Sequence, residues 1–208
     1  TWFQSRDPFF GLNYFVEIEV NAINSFLDDA EKQIPIKENE LNDKLEAWKA
    51  EKHLSPDAPD AYDMYESEII NVGHIPKLLY NSFFLTAYTC FEKRMFEICF
   101  ECETYYEIEK SVKEVESAKG IFKCAKYLKK EVIPNSNNNN PLWEILTTYS
   151  KIRNAIAHND CIIKESDYKP VLKHFSKDKN FEIDEKNKYV SIASSSFIKT
   201  FNTLYSKY

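Results

Sequence analysis

Glycine is scarce: Gly11, Gly73 and Gly120 are the only three in 208 residues. A phosphate-cradling loop needs clustered glycines, so neither a P-loop nor a dinucleotide fingerprint can be written. A large β-fold needs many turn glycines and is disfavoured on the same ground. Long apolar runs are missing as well. The most apolar stretch, Leu78 to Phe91, is interrupted by Asn81, Ser82 and Thr86, which makes it too short and too polar to span a bilayer. An excess of positive charge is also lacking. Lys and Arg number 27 against 33 Asp and Glu, a net charge of −6, with an isoelectric point near 5.4. General duplex-DNA binding needs many phosphate contacts, which this balance does not supply; a small local basic site remains compatible with it. The five cysteines, Cys90, Cys99, Cys102, Cys124 and Cys161, are an odd number in a chain of ordinary size. Reduced thiols are expected rather than a disulfide framework. The opening Thr1-Trp2-Phe3-Gln4-Ser5-Arg6-Asp7 is polar and charged, unlike a secretion signal, so the expected compartment is the cytoplasm.

What is present is helical periodicity on a globular composition, 43% hydrophobic and 15% aromatic. From Leu12, apolar residues recur at Val16, Val20, Ile23, Leu27, Ala30 and Ile34, the spacing of one buried helical stripe. Pro35 interrupts it. Leu41, Leu45 and Trp48 mark a second helix, and Pro56 and Pro59 force a break. Tyr62, Tyr65, Ile69 and Val72 carry a stripe up to Gly73. The strongest helix is expected from Ile75 to Glu107, with Pro76 in its first turn. A shorter helix follows over Lys119 to Val132, closed by Pro134. Asn135 to Asn140 reads as an exposed polar loop. Pro141 opens a helix to Ala157, with Ile145, Tyr149, Ile152 and Ile156 on one stripe. Phe181 to Asp184 and Tyr189 to Ile192 alternate with period two and predict a β-hairpin turning at Glu185 to Lys188. Ser194 to Ser196 can cap a last helix bearing Phe197, Phe201 and Leu204. The predicted fold is all-α, a helical bundle with a small hairpin near the C-terminus. Residues 1–59 form an N-terminal arm packing on a helical domain of residues 60–208.

One segment concentrates reactive side chains: Lys151-Ile152-Arg153-Asn154-Ala155-Ile156-Ala157-His158-Asn159-Asp160. Asn154 and His158 are four apart and so are neighbours on a helix, where an amide can fix an imidazole tautomer. Arg153 and His158 are five apart, roughly 140° around an ideal helix. They share a site only if the helix ends between them or two chains contribute. Asn159-Asp160 favours an ending near His158. Ala155 and Ala157 are small enough to let another helix approach. The pair suits RNA chemistry. A guanidinium holds a phosphate bidentately through charge development, and an imidazole takes and returns protons near neutrality. The 2′-hydroxyl of RNA is its own nucleophile, so no cofactor or metal is required.

Arg153, four residues and then His158, with Asn154 directly after the arginine, resembles the R-x4-H signature of the HEPN superfamily. The upstream run is similar too: Lys119-Gly120-Ile121-Phe122, Ala125-Lys126-Tyr127-Leu128, a polar loop, Trp143-Glu144-Ile145-Leu146 and Tyr149. The resemblance covers about Tyr62 to Asp160 and the flanks loosely. It implies a HEPN-like bundle and a metal-independent endoribonuclease. In that family two motif copies meet in a homodimer cleft, and 2′-hydroxyl attack leaves a cyclic phosphate and a 5′-hydroxyl. The settings implied are toxin–antitoxin modules, abortive infection and phage defence, with RNA as substrate and an antitoxin or regulatory protein as a further partner. Carried over by position, Arg153 would hold the scissile phosphate, His158 would be general acid and base, and Asn154 would orient the site. Lys151 and Tyr149 are candidate RNA contacts that the motif does not assign. The superfamily also includes non-catalytic members, so a helical interaction or regulatory module is the alternative reading.

Other features read more plainly. Cys99 and Cys102 form a C-x-x-C inside a helix with no second ligand pair, which favours packing over zinc. His53, His74 and His174 receive no role. Glu92-Lys93-Arg94 reads as a solvated patch, with Arg94 able to face a cleft. Tyr105-Tyr106 is able to stack on bases, though such pairs are commonly half-buried at helix ends. Lys126, Lys129 and Lys130 are the best local basic cluster.

Overall fold

The computed structural model describes residues 8–52, 59–116, 118–134 and 141–206. His53, Pro56 and the Asn135 to Asn140 loop lie outside them. The first stripe folds as expected into α1 (Pro8–Glu31), with Val20 and Leu27 buried. The chain turns at Lys32, three residues earlier than Pro35, and α2 (Gln33–Lys52) takes that proline into its first turn. A first-turn proline gives up an N–H that has no intrahelical partner anyway.

Next comes α3, Ala61–Tyr105, a single helix of 45 residues. Asp60 caps it, its carboxylate accepting the Tyr62 N–H at 3.2 Å. The sequence reading divides this span at Gly73, with Pro76 opening a new helix; the helix instead runs through both, with a local kink at Tyr65 (φ −113°, ψ 15°). An interior proline costs about 3 kcal/mol. Packing on either side of that point offsets it. Toward the start of α3, α2 is joined by Lys44–Glu68 at 2.6 Å and by the Trp48 and Tyr65 rings. Toward the end, α1 is joined by Tyr80 donating to Glu31 at 2.7 Å and by Arg94–Glu19 at 2.7 Å. Both α1 and α2 therefore run antiparallel to α3, one after the other along its length.

The remaining chain wraps the C-terminal part of that rod. A 3-10 turn at Val112–Glu114 is closed by a Ser111/Glu114 capping box. Then follow α4 (Gly120–Tyr127), a π turn at Leu128–Val132, α5 (Pro141–His158) and α6 (Glu165–Phe175). Sequence reading missed α6 because Pro170 lies inside it. Its signal was there in Glu165 and Asp167 at the start and Lys173 and His174 at the end, which complement the helix dipole. Strands β1 (Phe181–Asp184) and β2 (Tyr189–Ile192) form the predicted antiparallel hairpin, with Phe181 opposite Ile192 and Asp184 opposite Tyr189. The last helix is α7 (Ser195–Tyr205). Ser194 holds its N-cap position but donates its hydroxyl to Asn180 at 2.7 Å instead of capping. The fold is all-α with a small β-hairpin near the C-terminus.

Aromatic rings fill the centre. Tyr149 of α5 packs against Phe84, Phe175, Phe197 and Phe201, with ring centroids 4.9–6.0 Å apart. Four helices and the rods between them are thus fixed to one cluster, and α5 cannot rotate without opening it. Among the described residues, no helix is long and apolar enough to cross a membrane.

Candidate active site

The inward face of α5 is Leu146, Tyr149, Ile152 and Ala155, all buried, with Ile145 and Ile156 half-buried beside them. That face decides where the motif residues point. Arg153 turns toward α3. Its guanidinium donates to Asn154 Oδ1 at 3.0 Å and to Glu92 Oε2 at 3.4 Å, and it sits 5.6 Å from the Tyr88 ring centroid. The Arg153 and Glu92 side chains are each 26% exposed, so the pair is half in water and remains open to exchange. Burial pushes the Tyr88 phenol up, and a hydrogen bond with Ser150 opposes it.

His158 is exposed on the last turn of α5. Among the described residues, none hydrogen-bonds its imidazole. The expected Asn154–His158 contact is absent; the Asn154 oxygen accepts from Arg153 instead. The helix does not end between Arg153 and His158: the Asn159 N–H still reaches the Ala155 carbonyl at 3.1 Å. It closes just beyond. Asp160 (φ 48°) and Cys161 (φ 65°) are left-handed, and the Cys161 N–H returns to the same Ala155 carbonyl at 3.0 Å. Asn159 donates its side-chain amide to the Ile162 carbonyl and locks the turn. Of the two ways for Arg153 and His158 to share a site, this geometry leaves the one that uses two chains.

Several neighbours are placed differently from the sequence reading. Tyr149 is a core residue and is not available to RNA; burial pushes its phenol up. Lys151 is held by Asp167 of α6 at 2.6 Å. Arg94 is neither solvated nor facing the site. It is buried, paired with Glu19 and Glu97, and ties α1 to α3. Lys126 and Lys130 border an open cleft of about 650 Å³ that also holds Lys110 but is balanced by Glu114, Glu116 and Glu131. Cys99 and Cys102 are buried, the Cys99 thiol directed to the Cys124 carbonyl at 3.9 Å. His74 is exposed on α3, and His174 bonds Glu144 at 3.2 Å. Tyr105 and Tyr106 are exposed at the end of α3. Among the described residues, no three His, Cys, Asp or Glu side chains converge as a metal site.

The residue missed by sequence reasoning is Glu92. It lies 61 positions from Arg153 and inside an apparently ordinary charged triplet. Its carboxylate also lies over the Cα of Gly120 at the start of α4, where a Cβ would collide with it. Gly120 has φ +54°, the left-handed region that favours glycine, and a Cβ there would require the Glu92 side chain to shift. Comparison with family models, curated proteins and solved structures returns no match.

Proposed function

We propose that the chain is a metal-independent endoribonuclease of HEPN type, acting as a homodimer in the cytoplasm in a toxin or phage-defence setting. The observation that carries the reading is the pairing of motif and placement. One helix presents a partly exposed guanidinium on one side and, at its tip, an exposed imidazole that has no hydrogen-bond partner among the described residues. In one chain these point apart; across a two-fold axis, Arg153 and His158 of two α5 ends can flank one phosphodiester. His158 of one chain takes the proton from the 2′-hydroxyl as that oxygen attacks phosphorus. The P–O5′ bond breaks, and the other chain's imidazolium returns a proton to the leaving 5′-oxygen. Arg153 neutralises the charge that grows on the phosphoryl oxygens. Asn154 steadies the guanidinium rather than the imidazole.

The test is cleavage of RNA in EDTA, with product ends mapped. Cyclic phosphate and 5′-hydroxyl termini, lost in both Arg153→Ala and His158→Ala, are the expected result. A need for divalent metal, or activity surviving both substitutions, overturns the mechanism. A second reading, a non-catalytic interaction module, is favoured by one observation: Phe26 and Leu78 are 69% and 64% exposed on the rods beside the bundle. It predicts no turnover and stoichiometric recovery of a protein partner.

A further inference from the structure

We propose that Glu92 is a resident competitor of the RNA phosphate for Arg153, so that substrate enters by exchanging one anion for another. The inference rests on the RNA reading of Arg153 and adds a residue to it that the motif does not contain. Arg153 has three neighbours of different kinds. Asn154 accepts one N–H at 3.0 Å, Tyr88 supplies a ring face, and Glu92 supplies the countercharge at 3.4 Å. The first two orient the guanidinium without neutralising it. Glu92 occupies the position that a phosphodiester oxygen would take.

The contact is long for a charge-assisted hydrogen bond, and both side chains keep a quarter of their surface in water. A half-exposed ion pair of this kind is weak, which is what an exchangeable placeholder requires. Glu92 is nevertheless not free to wander. It is mounted on α3, whose neighbouring Tyr88 and Phe91 are core residues, and it is braced against Gly120. The carboxylate therefore does two things. It holds the Arg153 guanidinium in place in the empty protein, and it sets a threshold that a lone monoanion passes poorly and a polyanion passes well, because a polyanion brings further phosphates to other contacts.

The test separates this proposal from the nuclease reading by measuring binding without cleavage. The probe is a mixed-sequence, all-2′-O-methyl RNA dodecamer with a 5′ fluorophore, which lacks the attacking hydroxyl. Anisotropy titrations compare wild type, Glu92→Gln, Arg153→Ala and the double variant across a salt series, with folding checked by circular dichroism. Glu92→Gln is expected to bind about three- to tenfold tighter, with a steeper salt dependence. The gain is expected to vanish in the double variant, which should bind like Arg153→Ala. A merely structural role for Glu92 predicts no gain, and a general charge effect predicts a gain that persists in the double variant, which would overturn the proposal. If Arg153→Ala weakens binding and Glu92→Gln does not strengthen it, the competitor proposal fails and the RNA reading stands. If Arg153→Ala leaves binding unchanged, the RNA reading of Arg153 fails and takes the proposal with it.

Discussion

The two halves of α3 live in different surroundings. Its C-terminal half is enclosed: Phe84, Ala87, Phe91 and Met95 are essentially inaccessible, and Phe84 and Phe91 lie among the aromatic rings of the core. Its first turns pack on α2, before β2 and α1 reach the helix at Lys77 and Tyr80. Ala61 is buried there, but Tyr62, Met64 and Ile70 are exposed, and the join to α2 depends on Leu41, Trp48 and the Lys44–Glu68 pair. Chemistry that needs fixed side chains belongs to the first region, and the motif is found there.

Core truncation should give the largest difference between the two. Phe201→Ala opens the cluster under α5 and is expected to cost about 3–5 kcal/mol of unfolding free energy in urea titrations. Leu41→Ala, facing a single helix, should cost clearly less; equal costs would mean the arm is as much core as the bundle. Next in size is Gly120→Ala. The left-handed backbone should cost about 1–2 kcal/mol, and the new methyl group must displace Glu92. Its RNA affinity should therefore shift in the same direction as that of Glu92→Gln. In the arm, Lys44→Ala removes an exposed ion pair and should change stability by about 0.5 kcal/mol or less.

The smallest effect concerns acid. Lys173 and then His174 hold the Glu144 carboxyl below its ordinary value. A depressed folded-state value contributes stability above the unfolded carboxylate range, and that contribution is lost as pH falls through the folded value. Glu144→Gln should therefore lower stability slightly at neutral pH, leave it unchanged below the folded carboxyl value, and so flatten the acid limb of a stability–pH curve. An unchanged acid limb would show that the α5–α6 contact is not closed by this carboxylate.

Much of this architecture is legible in the sequence where one helix face is apolar and the other is not. The α1 stripe, the hairpin register and the span of α5 all follow from spacing alone. Legibility fails where tertiary packing outvotes a local rule. Pro76 and Gly73 read as a boundary because proline breaks isolated helices, yet two rods lying alongside keep α3 whole. Pro170 hid α6 for the same reason. At the candidate site, Arg153 and His158 are readable as a motif, and their separation of about 140° already reduces a shared site to two cases, a helix ending between them or a second chain. Glu92 is not readable, since nothing in a linear sequence says which of 33 acidic residues faces one arginine. Arg94 was misjudged for the converse reason: its partner Glu19 is 75 residues away.

The end of α5 carries a consequence for how such a motif can vary. One carbonyl, that of Ala155, accepts two amides, so the final turn is tied off rather than left to unravel. A histidine on a loose terminus would sweep through a cone of directions; here the backbone that carries it has a fixed bearing. Inserting a single residue ahead of it would swing that bearing by about 100°. In the proposed site, the count of residues between guanidinium and imidazole therefore matters as much as the two groups themselves.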